Sequence, residues 1–300
     1  MHAAFIQAIR DEPGDDTPRL VFADYLEDQG QADRAELIRV QCELTRGPRD
    51  RGRSLELRRR LRALVAEHRD AWLAGLAVWA RDAFFERGFV EHLALPAATF
   101  LEHAAAILAA HPVHSVQLRG AAGVIHALAG HPGLAQLRSL DLHDNSLRDR
   151  GTAALAASPH LHRLTALLLP DNGVGRAGAQ ALARAPLDAL ETLLLSGNAL
   201  GDEGALALAC SPHLARLTRL DLSSCRLTDA GAAVLAGTPV LARLTSLRLA
   251  YNNLTSNGAE VLAGSPRLAR LTTLDLVGNA GIDRRAAAAL HRRFGPRLVV

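Results

Sequence analysis

The sequence predicts an α/β solenoid: a right-handed horseshoe arc with parallel strands inside and helices outside, preceded by a small helical module. Three observations point there. One leucine-studded pattern recurs six times, at steps of 27, 26, 27, 27 and 27 residues. Of 300 residues, 54 are Leu and 56 are Ala, so two residue types fill more than a third of the chain. Aromatic residues make up 4 % against 49 % apolar overall. That suits many thin, equal layers better than one thick core drawing on large rings.

The chain begins with helical signals. Ala3–Arg10 is short and apolar on one side. Thr17-Pro18 reads as an N-cap followed by Pro at the first helical position, on a helix carrying Leu20, Val21, Tyr25 and Leu26 and stopped by Gly30. Asp33 and Glu36 have capping-box spacing ahead of Leu37, Ile38, Val40 and Leu44. Residues 46–53 read as an exposed loop, Ser54–His68 as another helix, and Trp72, Leu73, Leu76 and Trp79 as packing near a junction. Residues 1–87 are therefore expected to form the helical module and 88–300 the solenoid. Within the module, Asp24, Glu27 and Asp28 are expected to pair with Arg19, Arg34 or Arg39. The acidic cluster Asp11, Glu12, Asp15 and Asp16 lacks calcium-loop spacing and reads as helix capping.

The recurring pattern supplies the rest. LRSLDLHDNSL begins at Leu137, with its counterparts at Leu164, Leu190, Leu217, Leu244 and Leu271. In each unit the L-x-L alternation puts Leu140 and Leu142, or their equivalents, on one side of a short strand. Asn145, Asn172, Asn198, Asn252 and Asn279 follow, with amides able to satisfy backbone groups of the exit turn. Cys225 stands there in the fourth unit; its weaker bonding predicts a looser rung. A polar residue and Gly, as at Asp202–Gly204 and Asp229–Gly231, open a helix with an apolar stripe, and Pro159, Pro186, Pro212, Pro239 and Pro266 end it. Two atypical units without the Asn start at Val90 and Val113, and residues 291–300 read as a C-terminal cap with a partial strand.

Two resemblances follow. L-x-x-L-x-L-x-x-N/C-x-L is the leucine-rich-repeat signature, and a strand plus a full helix in about 27 residues resembles the ribonuclease-inhibitor type. Asp15–Leu20 (DDTPRL), Ala23–Glu27 (ADYLE), Arg34–Gln41 (RAELIRVQ) and Arg87-Gly88-Phe89 together resemble the bacterial repeat-companion domain. That resemblance implies an architecture, a companion module ahead of repeats, and no reaction.

Function is constrained mostly by exclusion. No apolar run approaches the ~18 residues of a membrane span. The opening MHAAFIQAIRDEP has no secretory pattern, and Cys42, Cys210 and Cys225 show no CxxC spacing. Reduced thiols in a cytoplasmic protein are therefore expected. No HExxH occurs, and His160-x-His162 lacks a third ligand. No catalytic residue, metal or cofactor is expected. All 34 cations are Arg. Their densest stretch, 46–62, has no interleaved aromatics and reads as a solvated face, with weak nucleic-acid binding as an alternative. The default binding face of a solenoid is concave. The strand register puts Asp141, His143, Asp144, Leu168, Asp171, Leu194, Arg219, Asp221, Arg248, Tyr251 and Asp275 on it. Exposed Leu168 and Leu194 would form a contact patch there. The expectation is a non-catalytic scaffold binding a protein partner. A regulator of an enzyme, of nuclease-inhibitor or GTPase-activator kind, is the alternative implied by the repeat type.

Overall fold

The computed structural model describes residues 1–73, 76, 83 and 85–295, with 298–299 as backbone; Trp79 lies outside them. The chain divides into two compact units, residues 1–95 with 102–116, and residues 96–101 with 117–300.

In the first unit, α1 (His2–Asp11), α2 (Thr17–Asp28), α3 (Ala32–Arg46) and α4 (Arg51–Trp72) follow one another. Ile6, Ile9, Phe22, Leu26, Ala35 and Ile38 pack together with Phe89. Phe89 arrives on a tight turn whose ends, Glu86 and Phe89, exchange backbone hydrogen bonds of 2.8 and 3.0 Å. Gly88 is obligatory in that turn. Its φ is +92°, and a Cβ would lie 2.2 Å from Ile38 Cγ1. The Gln41 amide clamps the turn, donating to Phe85 O at 2.6 Å and accepting from Gly88 N at 2.7 Å.

Several local expectations are corrected by longer-range partners. The helix expected to open on a capping box starts at Ala32 with no side-chain cap, because Glu36 turns away to hold Arg60 at 2.6 and 2.7 Å. Thr17 lies inside α2, and Asp15 Oδ1 accepts its amide at 2.8 Å. The loop after α3 is shorter than 46–53, because Asp50 caps α4 by accepting from Arg53 N at 2.8 Å. Arg39 takes Asp24 and Glu27, both at 2.6 Å. Arg19 instead reaches Glu91, 72 residues on. It donates Nε and Nη2 to Oε1 at 3.2 and 2.6 Å, and also holds the carbonyls of Pro13 and Asp15. Both partners of this pair are completely buried. Residues 102–116 are tied in by Arg10, whose Nη2 donates to His111 O at 3.1 Å and to Leu108 O.

The strands read as atypical repeats are β1 (His92–Pro96) and β2 (Ser115–Arg119). Helices α5 (Ala97–Ala110) and α6 (Ile125–Ala129) follow them. In the second unit come β3 (Ser139–Asp141), β4 (Ala166–Leu168), β5 (Thr192–Leu194), β6 (Arg219–Asp221), β7 (Ser246–Arg248), β8 (Thr273–Asp275) and β9 (Leu298–Val299). These pair in chain order, all parallel, in an open sheet. The register stacks Leu140, Leu167, Leu193, Leu220, Leu247 and Leu274 in one line, each at most 2 % exposed. The strands alternate with α7 (Arg148–Ala156), α8 (Arg176–Arg184), α9 (Gly201–Ala209), α10 (Asp229–Gly237), α11 (Ser256–Gly264) and α12 (Arg284–Phe294). Four of them bury the same Gly-Ala-x-x-Leu face, as in Gly204, Ala205 and Leu208. His291–Phe294, expected within the cap, belong to α12, and the partial strand is β9.

Polar ladders join layer to layer. Asn252 Nδ2 donates to Leu222 O and Leu249 O, both at 2.9 Å, while its Oδ1 accepts from Cys225 N and Leu227 N at 2.9 and 3.0 Å. Asn145, Asn172, Asn198 and Asn279 repeat the arrangement, each donating to a carbonyl of the preceding strand. Cys225 does not loosen its rung. It is fully buried, its Sγ sits 3.2 Å from Leu195 O, and Leu220 keeps register on both sides.

A second ladder runs along the helix N-termini. Asp202, expected to open its own helix, caps the next one: its Oδ1 accepts from Thr228 N at 2.8 Å and Gly231 N at 3.0 Å. Asp149 does the same for Gly175 and Gly178, and Asp229 for Thr255. Gly231 has no room for a side chain, since a Cβ would meet Asp202 Oδ1 at 2.4 Å. In a third ladder, Ser158, Ser211, Thr238 and Ser265 donate to helix-terminal carbonyls of the previous repeat at 2.5–2.6 Å. Each hydroxyl also accepts the amide two residues on, at 3.2 Å.

Candidate functional site

The face of the sheet turned away from the helices carries the outward strand positions. Leu168, Leu194, Arg219, Asp221 and Arg248 line one depression of about 420 Å³ together with Thr192. Leu168 and Leu194, expected to be exposed, are half-buried. In a strand face only three residues long, the longer arginine side chains on the following strands rise beside them. Arg219 Nε donates to Thr192 Oγ1 at 3.0 Å. Arg248 Nη1 lies 3.9 Å from Asp221 Oδ2. The depression is thus an apolar floor with guanidinium groups at its side.

Several of the expected contact residues serve the protein's own backbone. Asp141, Asp221 and Asp275 each accept the amide two residues on, from His143, Ser223 and Val277, at 2.9, 2.9 and 3.2 Å. These side-chain turns guide the chain out of the strand, and Asp221 is only 8 % exposed. His143 Nδ1 also stands 3.0 Å from Asp141 Oδ1.

The next position is left-handed in every regular repeat. Asp144, Asp171, Ser224 and Tyr251 have φ of 52–54°, and Gly197 and Gly278 stand there with 71° and 76°. Glycine or a short polar side chain suits that backbone; a large ring does not. Tyr251 is nevertheless 65 % exposed, its ring lying over Gly278. Sequence register found Tyr251 but not the strain beneath it. That signal was the alternation of Asp, Ser and Gly in the same column.

Elsewhere, three of the eight arginines in the Arg-rich stretch 46–62 hold carboxylates. Arg46 pairs with Asp16 at 2.8 Å, Arg53 with Glu43 and Glu56 at 2.8 and 3.0 Å, and Arg60 with Glu36 at 2.6 Å. Cys42 and Cys225 are buried free thiols, and burial pushes both up to about 12. Among the described residues no three His, Cys, Asp or Glu side chains gather as metal ligands would, and no helix is long and apolar enough to cross a membrane.

A family model described as leucine-rich repeat matches residues 190–209, 213–236 and 243–263. No curated protein matches the chain. Among solved structures, the chain is similar to one in the crystal structure of the Rad7 and Elc1 complex in yeast. The identity is 15 %, with 65 % of this chain and 71 % of that one covered, at a TM-score of 0.39. The matched segments coincide with β5 to β7 and the helices that follow them, and the strands on either side continue the same register: residues 190–263 are similar to leucine-rich repeats.

Proposed function

We propose that the protein is a non-catalytic interaction scaffold that binds a protein partner across the exposed face of its sheet. The observation that carries this is the depression holding Leu168 and Leu194 beside Arg219 and Arg248. Apolar floor, arginine flank and a nearby aromatic are the composition of an interface centre. Tyr251 adds to it, because a ring held exposed on left-handed backbone costs stability without adding to the core. Asp144 and Asp171, both exposed on the exit turns, would form the polar rim. The first unit is proposed to be a repeat-companion module of a bacterial cytoplasmic protein; the two buried free thiols suit a reducing compartment.

The test is affinity capture with the full chain from its native cell. Leu168→Asp plus Leu194→Asp should lose the partners that wild type recovers. Leu206→Asp, on the helix side where Leu206 is 47 % exposed, should keep them. Identical recovery by both variants, each confirmed folded by circular dichroism, would overturn the assignment.

A further inference from the structure

The first unit contains a second concavity, of about 260 Å³, that its fold does not account for. Its walls include Phe22, Trp72 and Phe89, and its polar lining includes His2, Arg34 and His111. Arg34 sits among rings, its guanidinium carbon 5.1 Å from the centroid of Trp72, 4.8 Å from Phe85 and 5.6 Å from Phe89. Its Nη1 is buried and has no hydrogen-bond partner among the described residues. Every neighbouring Arg of α3 contrasts with it: Arg39 and Arg46 each hold a carboxylate. Burial pulls the Arg34 pKa down to about 9, and no carboxylate of the described residues pairs with it, so an anion beside it would be stabilised.

A second polar atom in the same concavity is also unpaired. His111 is 2 % exposed and its Nδ1 is buried without a partner among the described residues. Its Nε2 lies 3.3 Å from Leu73 O, which only a protonated Nε2 can use. Burial lowers its pKa to about 4. The ring is then neutral, with Nε2–H donating to the carbonyl and a lone pair on Nδ1 awaiting a donor. His2 and Arg34 both lie within electrostatic range of His111, and no carboxylate is among the described residues of the lining. The concavity therefore offers a cationic donor, a neutral acceptor and apolar walls, and buried polar atoms left idle in this way call for a partner.

We infer that this concavity is a binding site for a small organic carboxylate with an apolar body and a hydroxyl or N–H group, the carboxylate meeting Arg34 and the donor meeting His111 Nδ1. The half-apolar lining favours an organic acid over inorganic phosphate. The volume admits a molecule the size of a substituted phenylacetate; because Arg34 Nη1 and His111 Nδ1 are buried, the two side chains must turn toward the bound molecule to meet it.

The experiment uses the full chain and three probes that differ in the separation of carboxylate and donor: salicylate, 4-hydroxyphenylacetate and N-acetylleucine. Binding is read from tryptophan emission, since Trp72 forms part of the wall, and from the His111 Nδ1 resonance in long-range nitrogen–proton spectra. At least one acid should quench emission saturably and move Nδ1 upfield as its lone pair accepts a proton donor. Arg34→Gln should weaken that binding about tenfold or more, the usual effect of removing one charge-assisted hydrogen bond. If Arg34→Gln does not fold, the primary amide of the same acid decides on wild-type protein, and it should bind about tenfold more weakly. No quenching and no His111 shift with any of the three acids at roughly 10 mM, the weak end for small ligands, overturns the site. So does equal binding of acid and amide, or an equal response to phosphate.

Discussion

Replacing Asn252 by Ala tests the claim that the amide ladder holds the repeats together. The substitution strands three backbone groups, the carbonyl of Leu222 and the amides of Cys225 and Leu227, while Leu249 O keeps its bond from Asn279 Nδ2 at 2.9 Å. Asn252 itself is 7 % exposed, so these groups lie beneath the surface. A buried group left unpaired costs about 1–3 kcal/mol, which puts the ceiling near 3–9 kcal/mol. Water entering the space vacated by the amide repays part of it. The expected loss is about 3–5 kcal/mol, a midpoint shift in urea of roughly 1 M or more. Asn252→Cys should lose only about half as much, because Cys225 shows what a thiol retains: a contact to the carbonyl of the strand before, with Sγ 3.2 Å from Leu195 O. The reverse change, Cys225→Asn, should stabilise by about 1 kcal/mol by supplying an amide oxygen toward Asn198 and Leu200. Urea titrations followed by circular dichroism measure all three. Equal losses for Asn252→Ala and Asn252→Cys would refute the hydrogen-bond account and leave only a packing role.

Four further outcomes are expected. Gly231→Ala should destabilise by about 1–3 kcal/mol, since its Cβ would meet Asp202 Oδ1 at 2.4 Å; in the double variant with Asp202→Ala the two losses should be clearly less than additive by thermal melting. Glu91→Gln leaves the Arg19 charge buried and half-matched, costing about 3–5 kcal/mol by tryptophan-monitored unfolding, whereas Arg19→Met with Glu91→Leu together should recover most of it. His111 is buried neutral, with a pKa lowered from 6.5 to about 4. The unfolded chain therefore binds the extra proton first, and stability should fall by about 3 kcal/mol as pH drops from about 6.5 to about 4, a slope that His111→Gln should remove from a pH series of melts. Tyr251→Gly relieves left-handed backbone and should leave stability unchanged or raise it by up to about 1 kcal/mol while lowering partner capture; a variant that binds undiminished would take Tyr251 out of the interface.

What the sequence made legible is what repeats. Leu140 and its equivalents announce a strand by alternation alone, and the same spacing carries the register of the sheet, because each strand meets a copy of itself one period later. The Asn ladder was visible for the same reason. The Asp ladder was equally periodic, yet local capping rules assign Asp202 to its own helix. The geometry gives it to the helix of the next repeat, because stacked helices bring the next N-terminus nearer than the side chain's own. Periodicity marks a position; it does not say which layer the side chain serves.

The first unit shows the opposite limit. Arg19, Arg34 and Arg39 look alike by spacing, and each had acidic residues within reach along the helices. Arg39 takes them. Arg19 finds a buried carboxylate 72 residues away, and Arg34 finds none among the described residues and lies among rings instead. The difference is set by which residue the turn at Phe89 covers, and that turn is placed by Gly88 against Ile38 and by the clamp of Gln41. A charged side chain sealed in this way without a counter-charge is costly to keep. The fold meets that cost for Arg19 with Glu91 and, among the described residues, with no carboxylate for Arg34, which is why the proposed site centres on Arg34.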